Sequence, residues 1–149
     1  MDRNLLKKLK EEKEKLLDSI TRSEMKHLDN KSIMVIDDSE ETIFMMSTFL
    51  KKTGQYNVKT FVNEFEALEE IAKQAPDLIV LDVMLKNTDG IKFAKAVGGL
   101  DVFRGPIVFI SSNANFHNDI IQTFGANTHF MAKPLDTTKF TNLIVELLK

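Results

Sequence analysis

The spacing of hydrophobic and polar positions changes near residue 32, which divides the sequence into two parts. In the first part, seven apolar side chains share one arc of a helical projection over about residues 3–28: Leu5, Leu6, Leu9, Leu16, Leu17, Ile20 and Leu28. Lys13 and Glu24 interrupt this arc, and a heptad register leaves three of its seven a and d positions polar, which is a weak coiled-coil signal. Residues 1–31 are therefore predicted to form one charged amphipathic helix followed by a polar hinge.

From residue 32 onward, short apolar runs alternate with helical stretches. Five runs have the length and composition of strands: 33–36, 56–61, 78–81, 107–110 and 128–131. The stretches between and after them carry helix signals: the N-cap residues Ser39, Asn63 and Asp136, and the glycines Gly54, Gly98–Gly99 and Gly125 at the expected helix ends. Strands that alternate with helices pair in parallel through crossovers. Residues 32–149 are therefore predicted to form an α/β domain with helices on both faces of a five-stranded sheet.

Composition and charge exclude several classes of protein. The sequence has 149 residues and no Cys, which removes disulfide scaffolds, thiolate zinc sites and cysteine nucleophiles. The formal charge is −2, and basic residues are not interleaved with aromatic ones, so no nucleic-acid interface is expected. The longest apolar runs are far shorter than the roughly 20 residues of a transmembrane helix, and the start lacks a signal-peptide core. We expect a cytoplasmic protein without membrane contact.

Polar side chains follow four of the five predicted strands, where each strand ends: Asp37 and Asp38, Asp82, Ser111, and Lys133. The carboxyl ends of strands form the ligand crevice of an open α/β sheet. Carboxylate oxygens are the ligands of a hard cation such as Mg²⁺, and a crowd of like charges is expected to destabilise the domain without one. The lysine would neutralise a phosphoryl oxygen and the serine would donate to another. One of the aspartates could attack phosphorus and form an aspartyl-phosphate.

These motifs resemble the receiver domain of two-component response regulators. They are the acidic pair, Asp82 placed 44 residues after Asp38, Asp89–Gly90, Ser111, Phe130 and Lys133–Pro134. The resemblance covers residues 32–149 and implies a flavodoxin-like, doubly wound parallel sheet with strand order 2-1-3-4-5, preceded by the amphipathic helix.

The resemblance also implies a role for each motif residue. Asp82 would be the phosphorylated residue, and Mg²⁺ would be bound by Asp37, Asp38, Asp82 and the main-chain carbonyl of Met84. Lys133 would contact the phosphoryl group. Ser111 and Phe130 resemble the hydroxyl and aromatic pair whose rearrangement transmits phosphorylation. The histidines, His27, His117 and His129, are predicted to lie at the surface or at sheet edges.

The function that follows is a phosphoacceptor switch of a two-component system or phosphorelay. It would accept a phosphoryl group from a histidine kinase or phosphotransfer protein and signal through contacts with an effector protein, catalysing only its own phosphorylation and dephosphorylation. Two alternatives stay open: an interaction or dimerisation adaptor that works without phosphorylation, and a flavin-binding domain of the same topology. The apolar arc of the first helix is either solvated or covered by the receiver's own face, by a partner or by another copy of the chain. Among these covers, the charges at Lys13 and Glu24 favour a weak homodimer through residues 5–20.

Overall fold

The computed structural model describes residues 3–18, 30–54, 56–125 and 128–149. Internal contacts divide the chain into two compact units, Met1–Asn30 and Lys31–Lys149. The first unit contains helix α1 (Arg3–Asp18), in which the three described leucines of the apolar arc, Leu5, Leu6 and Leu9, are exposed. The rest of the arc lies outside the described side chains. The assignment of residues 1–31 and 32–149 as two domains stays a prediction.

The second unit alternates strands and helices over its whole length. Its elements are β1 (Ser32–Ile36), α2 (Glu40–Thr53), β2 (Asn57–Phe61), α3 (Glu64–Lys73), β3 (Leu78–Asp82), α4 (Gly90–Leu100), β4 (Ile107–Ser111), α5 (Phe116–Phe124), β5 (Thr128–Ala132) and α6 (Thr137–Leu147). The five strands form one parallel sheet in the order β2-β1-β3-β4-β5. The predicted fold class is therefore confirmed.

The sheet is covered on both faces because successive side chains of a strand point to opposite sides. Along β1, Ile33 and Val35 pack in a cluster with residues of α2 and α6, whereas Met34 and Ile36 pack in a cluster with residues of α3, α4 and α5. The central strands β1, β3 and β4 are buried almost throughout, whereas β2 and β5 at the edges are not. Continuous apolar runs in the sequence thus mark the strands covered on both faces.

Helix starts agree with the expected caps. The side chains of Ser39, Asn63 and Asp136 each accept a hydrogen bond from a backbone amide in the first turn of α2, α3 and α6. These bonds satisfy amides that have no partner inside the helix. Each cap fixes the point at which the chain leaves a loop at the carboxyl end of the sheet.

The end of α4 differs from the prediction. The sequence placed it at Gly98–Gly99, but the helix continues through both glycines to Leu100 and ends at Asp101, which adopts the left-handed conformation with φ 54°. A glycine in a helix costs about 1 kcal/mol relative to alanine, which weakens a helix without ending it. Phe93, Ala94 and Val97 pack in the core before the two glycines, and the helix extends to Leu100 beyond this buried face.

None of the helices in the described ranges combines the length and apolar character needed to span a lipid bilayer.

Candidate functional site

Strand register brings the predicted site residues to one place. Asp82 is the last residue of β3, and Asp37 directly follows β1, whose Ile36 pairs with Leu81. One carboxylate oxygen from each of Asp37, Asp38 and Asp82 lies within 4.8 Å of the others. Asp37 and Asp82 are buried, whereas Asp38 is exposed. Three carboxylates from two neighbouring strand ends thus share one crevice.

Lys133 reaches this crevice from the far side of the sheet. Its backbone N–H donates to the carbonyl of Ser111 at 2.9 Å, which extends the β4–β5 pairing by one step. Its ammonium donates to Oδ2 of Asp37 at 3.0 Å and to Oδ2 of Asp82 at 3.3 Å. Burial alone would lower the pKa of Lys133, but its hydrogen bonds to the two carboxylates and their charges outweigh burial and raise the pKa above its ordinary value. The lysine is therefore a fixed positive charge at the acidic cluster.

The Asp82 carboxylate lies in an environment that opposes its charge. Burial raises its pKa most, and the neighbouring charge of Asp37 raises it further, while the N–H of Met84 and the ammonium of Lys133 act in the opposite direction. The Met84 N–H donates to Oδ1 of Asp82 at 3.1 Å. The net effect is a pKa above the ordinary value of an aspartate. The side chain is held by two donors, one for each oxygen.

The expected repulsion among the acids is partly offset in the structure. Asp37 accepts from the Lys133 ammonium and from the Ser39 N–H at 2.9 Å. Asp38 has no hydrogen-bond or ion-pair partner among the described residues. The predicted role of Lys133 was contact with a phosphoryl group alone; these ion pairs have no signal in the sequence, because no local pattern joins residues so distant in the chain.

Ser111 is the last residue of β4 and Phe130 lies on the neighbouring strand β5, and none of the described hydrogen bonds joins Ser111 to Asp82. Ser111 is fully buried at the end of β4, and its Oγ accepts the Asn113 N–H at 3.0 Å. Phe130, on β5, is half-buried against the core, and its ring stacks on that of His117 with centroids 5.0 Å apart. His117 is exposed, as predicted, but this contact had no signal in the sequence.

The loop after β3 explains the Asp89–Gly90 motif. Asp89 pairs with Met84 in an isolated bridge and caps α4 by accepting the Lys92 N–H at 2.7 Å. A Cβ on Gly90 would lie 2.5 Å from the backbone oxygen of Asp82. Any larger residue would thus displace the strand end that carries Asp82. The side chain of Met84 is exposed beside this site.

The donor set fits a magnesium ion. All three clustered side chains offer carboxylate oxygens, which are the ligands that Mg²⁺ prefers, and a nearby phosphoryl group would complete its coordination. Nitrogen or sulfur ligands, which softer metals select, are absent from this cluster of described residues. The chemistry of the crevice therefore suits a hard cation together with an anionic phosphoryl group.

Residues 33–145 match the response regulator receiver domain. The chain belongs to this family. This receiver domain is 30% identical over 120 residues to the alkaline phosphatase synthesis transcriptional regulatory protein PhoP of Bacillus subtilis, covering 80% of the chain and 49% of that protein. It is also 30% identical to sporulation initiation phosphotransferase F of the same organism, covering 80% of the chain and 94% of that protein. The chain thus spans about half the length of the first relative and most of the second.

Solved structures support the fold. The receiver domain superposes on the chemotaxis protein CheY4 of Vibrio cholerae with a TM-score of 0.72 at 23% identity, covering 80% of this chain and 99% of that one. Members of the family are signalling domains of two-component systems rather than classical enzymes, and aspartyl phosphorylation with Mg²⁺ is general among them. Family membership therefore disfavours the flavin-binding alternative.

Proposed function

We propose that this receiver domain is a phosphoacceptor switch in which Asp82 takes a phosphoryl group from a phosphohistidine. One observation carries the proposal: the buried Asp82 carboxylate is held by the Lys133 ammonium at 3.3 Å and shares its crevice with Asp37 and Asp38. The ion pairs of Lys133 with Asp37 and Asp82 alone would not require a third acid, Asp38, at the same point. An incoming phosphoryl group and its cation would use all four side chains.

The transfer is a substitution at phosphorus. An oxygen of Asp82 forms the new P–O bond while the P–N bond of the donor breaks, and the donor histidine leaves with the bonding electron pair. Mg²⁺ held by Asp37, Asp38, Asp82 and the Met84 carbonyl would supply the positive charge that neutralises the phosphoryl oxygens. The backbone N–H of Met84 keeps the nucleophilic carboxylate in place through its other oxygen.

Lys133 and Ser111 act on the transferred group. Lys133 is already within hydrogen-bond distance of Asp82, so its ammonium would pair with a phosphoryl oxygen after only a small shift. The hydroxyl of Ser111 would donate to another oxygen, and Phe130 beside it would follow the change in β4 and β5. These two residues would convert phosphorylation into a change of surface shape.

The remaining assignments concern partners and location. The donor would be a histidine kinase or phosphotransfer protein in the cytoplasm, and the output would be a contact with an effector protein. Dephosphorylation would be self-catalysed by attack of water at the same site. A weak homodimer through residues 5–20 would add a second surface, since Leu5, Leu6 and Leu9 are exposed on α1.

The experiment is phosphorylation by acetyl phosphate with Mg²⁺, followed by intact-mass measurement. The wild type should gain one phosphoryl group, and Asp82→Asn should gain none, because an amide is not a nucleophile. Asp119→Asn, an exposed change on α5, is the matched control and should react like the wild type. An adduct on Asp82→Asn would refute the assignment of the acceptor. A wild type that takes no phosphoryl group would favour the adaptor alternative.

A further inference from the structure

The stack between His117 and Phe130 joins two elements that respond to Ser111. The two rings lie with centroids 5.0 Å apart and planes inclined by 14°. His117 belongs to the first turn of α5, whereas Phe130 lies in the middle of the edge strand β5. The exposed imidazole therefore covers one face of a half-buried phenyl ring and ties the start of the helix to the strand.

Hydrogen bonds connect this first turn to the switch hydroxyl. Ser111 Oγ accepts the Asn113 N–H at 3.0 Å, and the side-chain oxygen of Asn113 accepts the Asn115 N–H at 3.0 Å. The carbonyls of Asn113 and Ala114 then accept the backbone amides of Phe116 and His117. The loop and the first turn that carry His117 are thus held by a set of local hydrogen bonds, one of which is to Ser111 Oγ.

In the present arrangement the Ser111 hydroxyl is directed at Asn113. None of the described hydrogen bonds joins it to Asp82. If the Ser111 side chain rotates to bring its hydroxyl to a phosphoryl group on Asp82, Oγ moves away from the Asn113 amide and frees the loop that starts α5. Displacement of that loop moves His117 relative to the ring of Phe130, whose backbone is paired with Phe109.

We propose that His117 is a positioning residue that holds the start of α5 against β5 and thereby opposes the rearrangement that follows phosphorylation. The inference rests on the proposed function, since it assigns a regulatory element to the same site. The stack favours the arrangement with the hydroxyl of Ser111 on Asn113. Binding of a phosphoryl group must then disrupt the stack of His117 on Phe130. The free energy of that contact sets how readily the domain adopts the phosphorylated arrangement.

The size of the effect follows from the strength of an aromatic pair. Such contacts change an equilibrium by about two- to tenfold beyond the effect of buried area. Loss of the stack should therefore tighten the binding of a phosphoryl mimic by about the same factor. The change acts through the loop, so it should not alter the chemistry of Asp82 itself.

The first test follows the imidazole resonances by NMR, with beryllofluoride and Mg²⁺ as the probe. The sequence has three histidines, so His117→Ala assigns the resonance by its disappearance. In the free protein, the ring current of Phe130 should shift the His117 ring protons upfield relative to the other histidines, and saturating beryllofluoride should reduce that shift. Absence of the upfield shift, or a shift that beryllofluoride leaves unchanged, would overturn the proposal.

The second test compares the apparent beryllofluoride affinity of variants from amide spectra. His117→Ala should bind about two- to tenfold more tightly than the wild type, and His117→Phe, which keeps an aromatic ring, should restore wild-type binding. Asn118→Ala is the matched control, because Asn118 is the exposed next residue of the same helix. The proposal is wrong if His117→Ala behaves like Asn118→Ala, or if His117→Phe behaves like His117→Ala.

The two proposals fail in different ways. If the wild type binds beryllofluoride and accepts a phosphoryl group from acetyl phosphate, while His117→Ala matches the control, only the role of His117 is refuted. If the wild type does neither, the proposed function fails and the role of His117 fails with it. Urea unfolding of each variant verifies that the exposed substitutions leave the domain folded.

Discussion

At the residue scale, the crevice contains acids in unequal situations. Asp37 is buried and bonded to Lys133, Asp82 is buried between two donors, and Asp38 is exposed with no partner among the described residues. The single ammonium neutralises part of the acidic charge and leaves the remainder for a cation. Replacing each aspartate by asparagine should therefore change the free energy of unfolding by a different amount.

The first prediction compares Asp38→Asn with Asp37→Asn in the presence of a chelator. Asp38→Asn removes a like charge without breaking an ion pair, so it should raise the free energy of unfolding by about 0.5 to 1 kcal/mol. The increase in the free energy of unfolding should be smaller for Asp37→Asn, because this change also removes a charged partner of Lys133. Urea titrations measure both values. Greater stabilisation by Asp37→Asn would contradict the ion-pair account, and both variants should lose the stabilisation that Mg²⁺ gives the wild type.

The second prediction concerns the lifetime of the phosphoaspartate. The Met84 side chain lies exposed two residues after the acceptor and offers no acid or amide to orient an attacking water. We expect slow self-dephosphorylation, and Met84→Asn should accelerate it by supplying such a group. The measurement is the decay of the phosphorylated mass after removal of acetyl phosphate. Met84→Leu, which keeps an apolar side chain, should decay like the wild type, and unchanged decay of Met84→Asn would refute the argument.

At the element scale, α4 continues past two residues of low helix propensity. Its buried side chains hold one face against the sheet, while Gly98 and Gly99 lie exposed near its end. A Cβ at either glycine would meet no atom within 4 Å, whereas Gly90 at the start of the same helix has no room for one. Close packing against the strand thus requires glycine at position 90, whereas the space around Gly98 and Gly99 would admit a larger residue.

The third prediction uses this difference. Gly98→Ala and Gly99→Ala should each stabilise the domain by about 0.5 to 1 kcal/mol, because alanine has the higher helix propensity and restricts the unfolded chain. Gly90→Ala is the contrasting variant and should destabilise it, since the added carbon meets the backbone of Asp82 and Val83. Urea unfolding midpoints give the comparison. Destabilisation by both Gly98→Ala and Gly99→Ala would mean that α4 ends earlier than Leu100.

At the scale of the whole molecule, the chain combines a receiver domain with a charged helix that shows an apolar face. Leu5, Leu6 and Leu9 are each more than 40% exposed on α1. An isolated helix of this length is marginal in water, so its stability needs a partner surface. The interruption by Lys13 makes a tight, permanent core unfavourable because burial of an unpaired charge is costly. We therefore expect weak association of two copies, which would meet both conditions.

The fourth prediction tests that association. Leu9→Lys combined with Leu16→Lys should abolish self-association in sedimentation experiments, because both changes place charge in the apolar arc. Lys8→Ala with Lys15→Ala removes charge elsewhere on the helix and serves as the control. A sedimentation profile that the leucine changes leave unaltered, with and without acetyl phosphate, would refute dimerisation through residues 5–20.

The sequence by itself determined the α/β class, the strand positions, the caps at Ser39, Asn63 and Asp136, and the candidate residues at the strand ends. These features are local: they depend on the period of apolar residues and on which side chains satisfy free helix amides. The position of a polar residue just after a buried strand also places it at the carboxyl edge of a parallel sheet. The fold and the residues of the crevice could be predicted from the sequence for this reason.

Tertiary structure alone decided the contacts between residues distant in sequence. The ion pairs of Lys133 with Asp37 and Asp82, the stack of His117 on Phe130, and the continuation of α4 through its glycines had no local signal. The ion pairs and the stack depend on the order of the strands in the sheet, because strand order and register select partners among many side chains of the same type. Periodicity specifies which face of an element is buried, but only the assembled sheet specifies what that face meets.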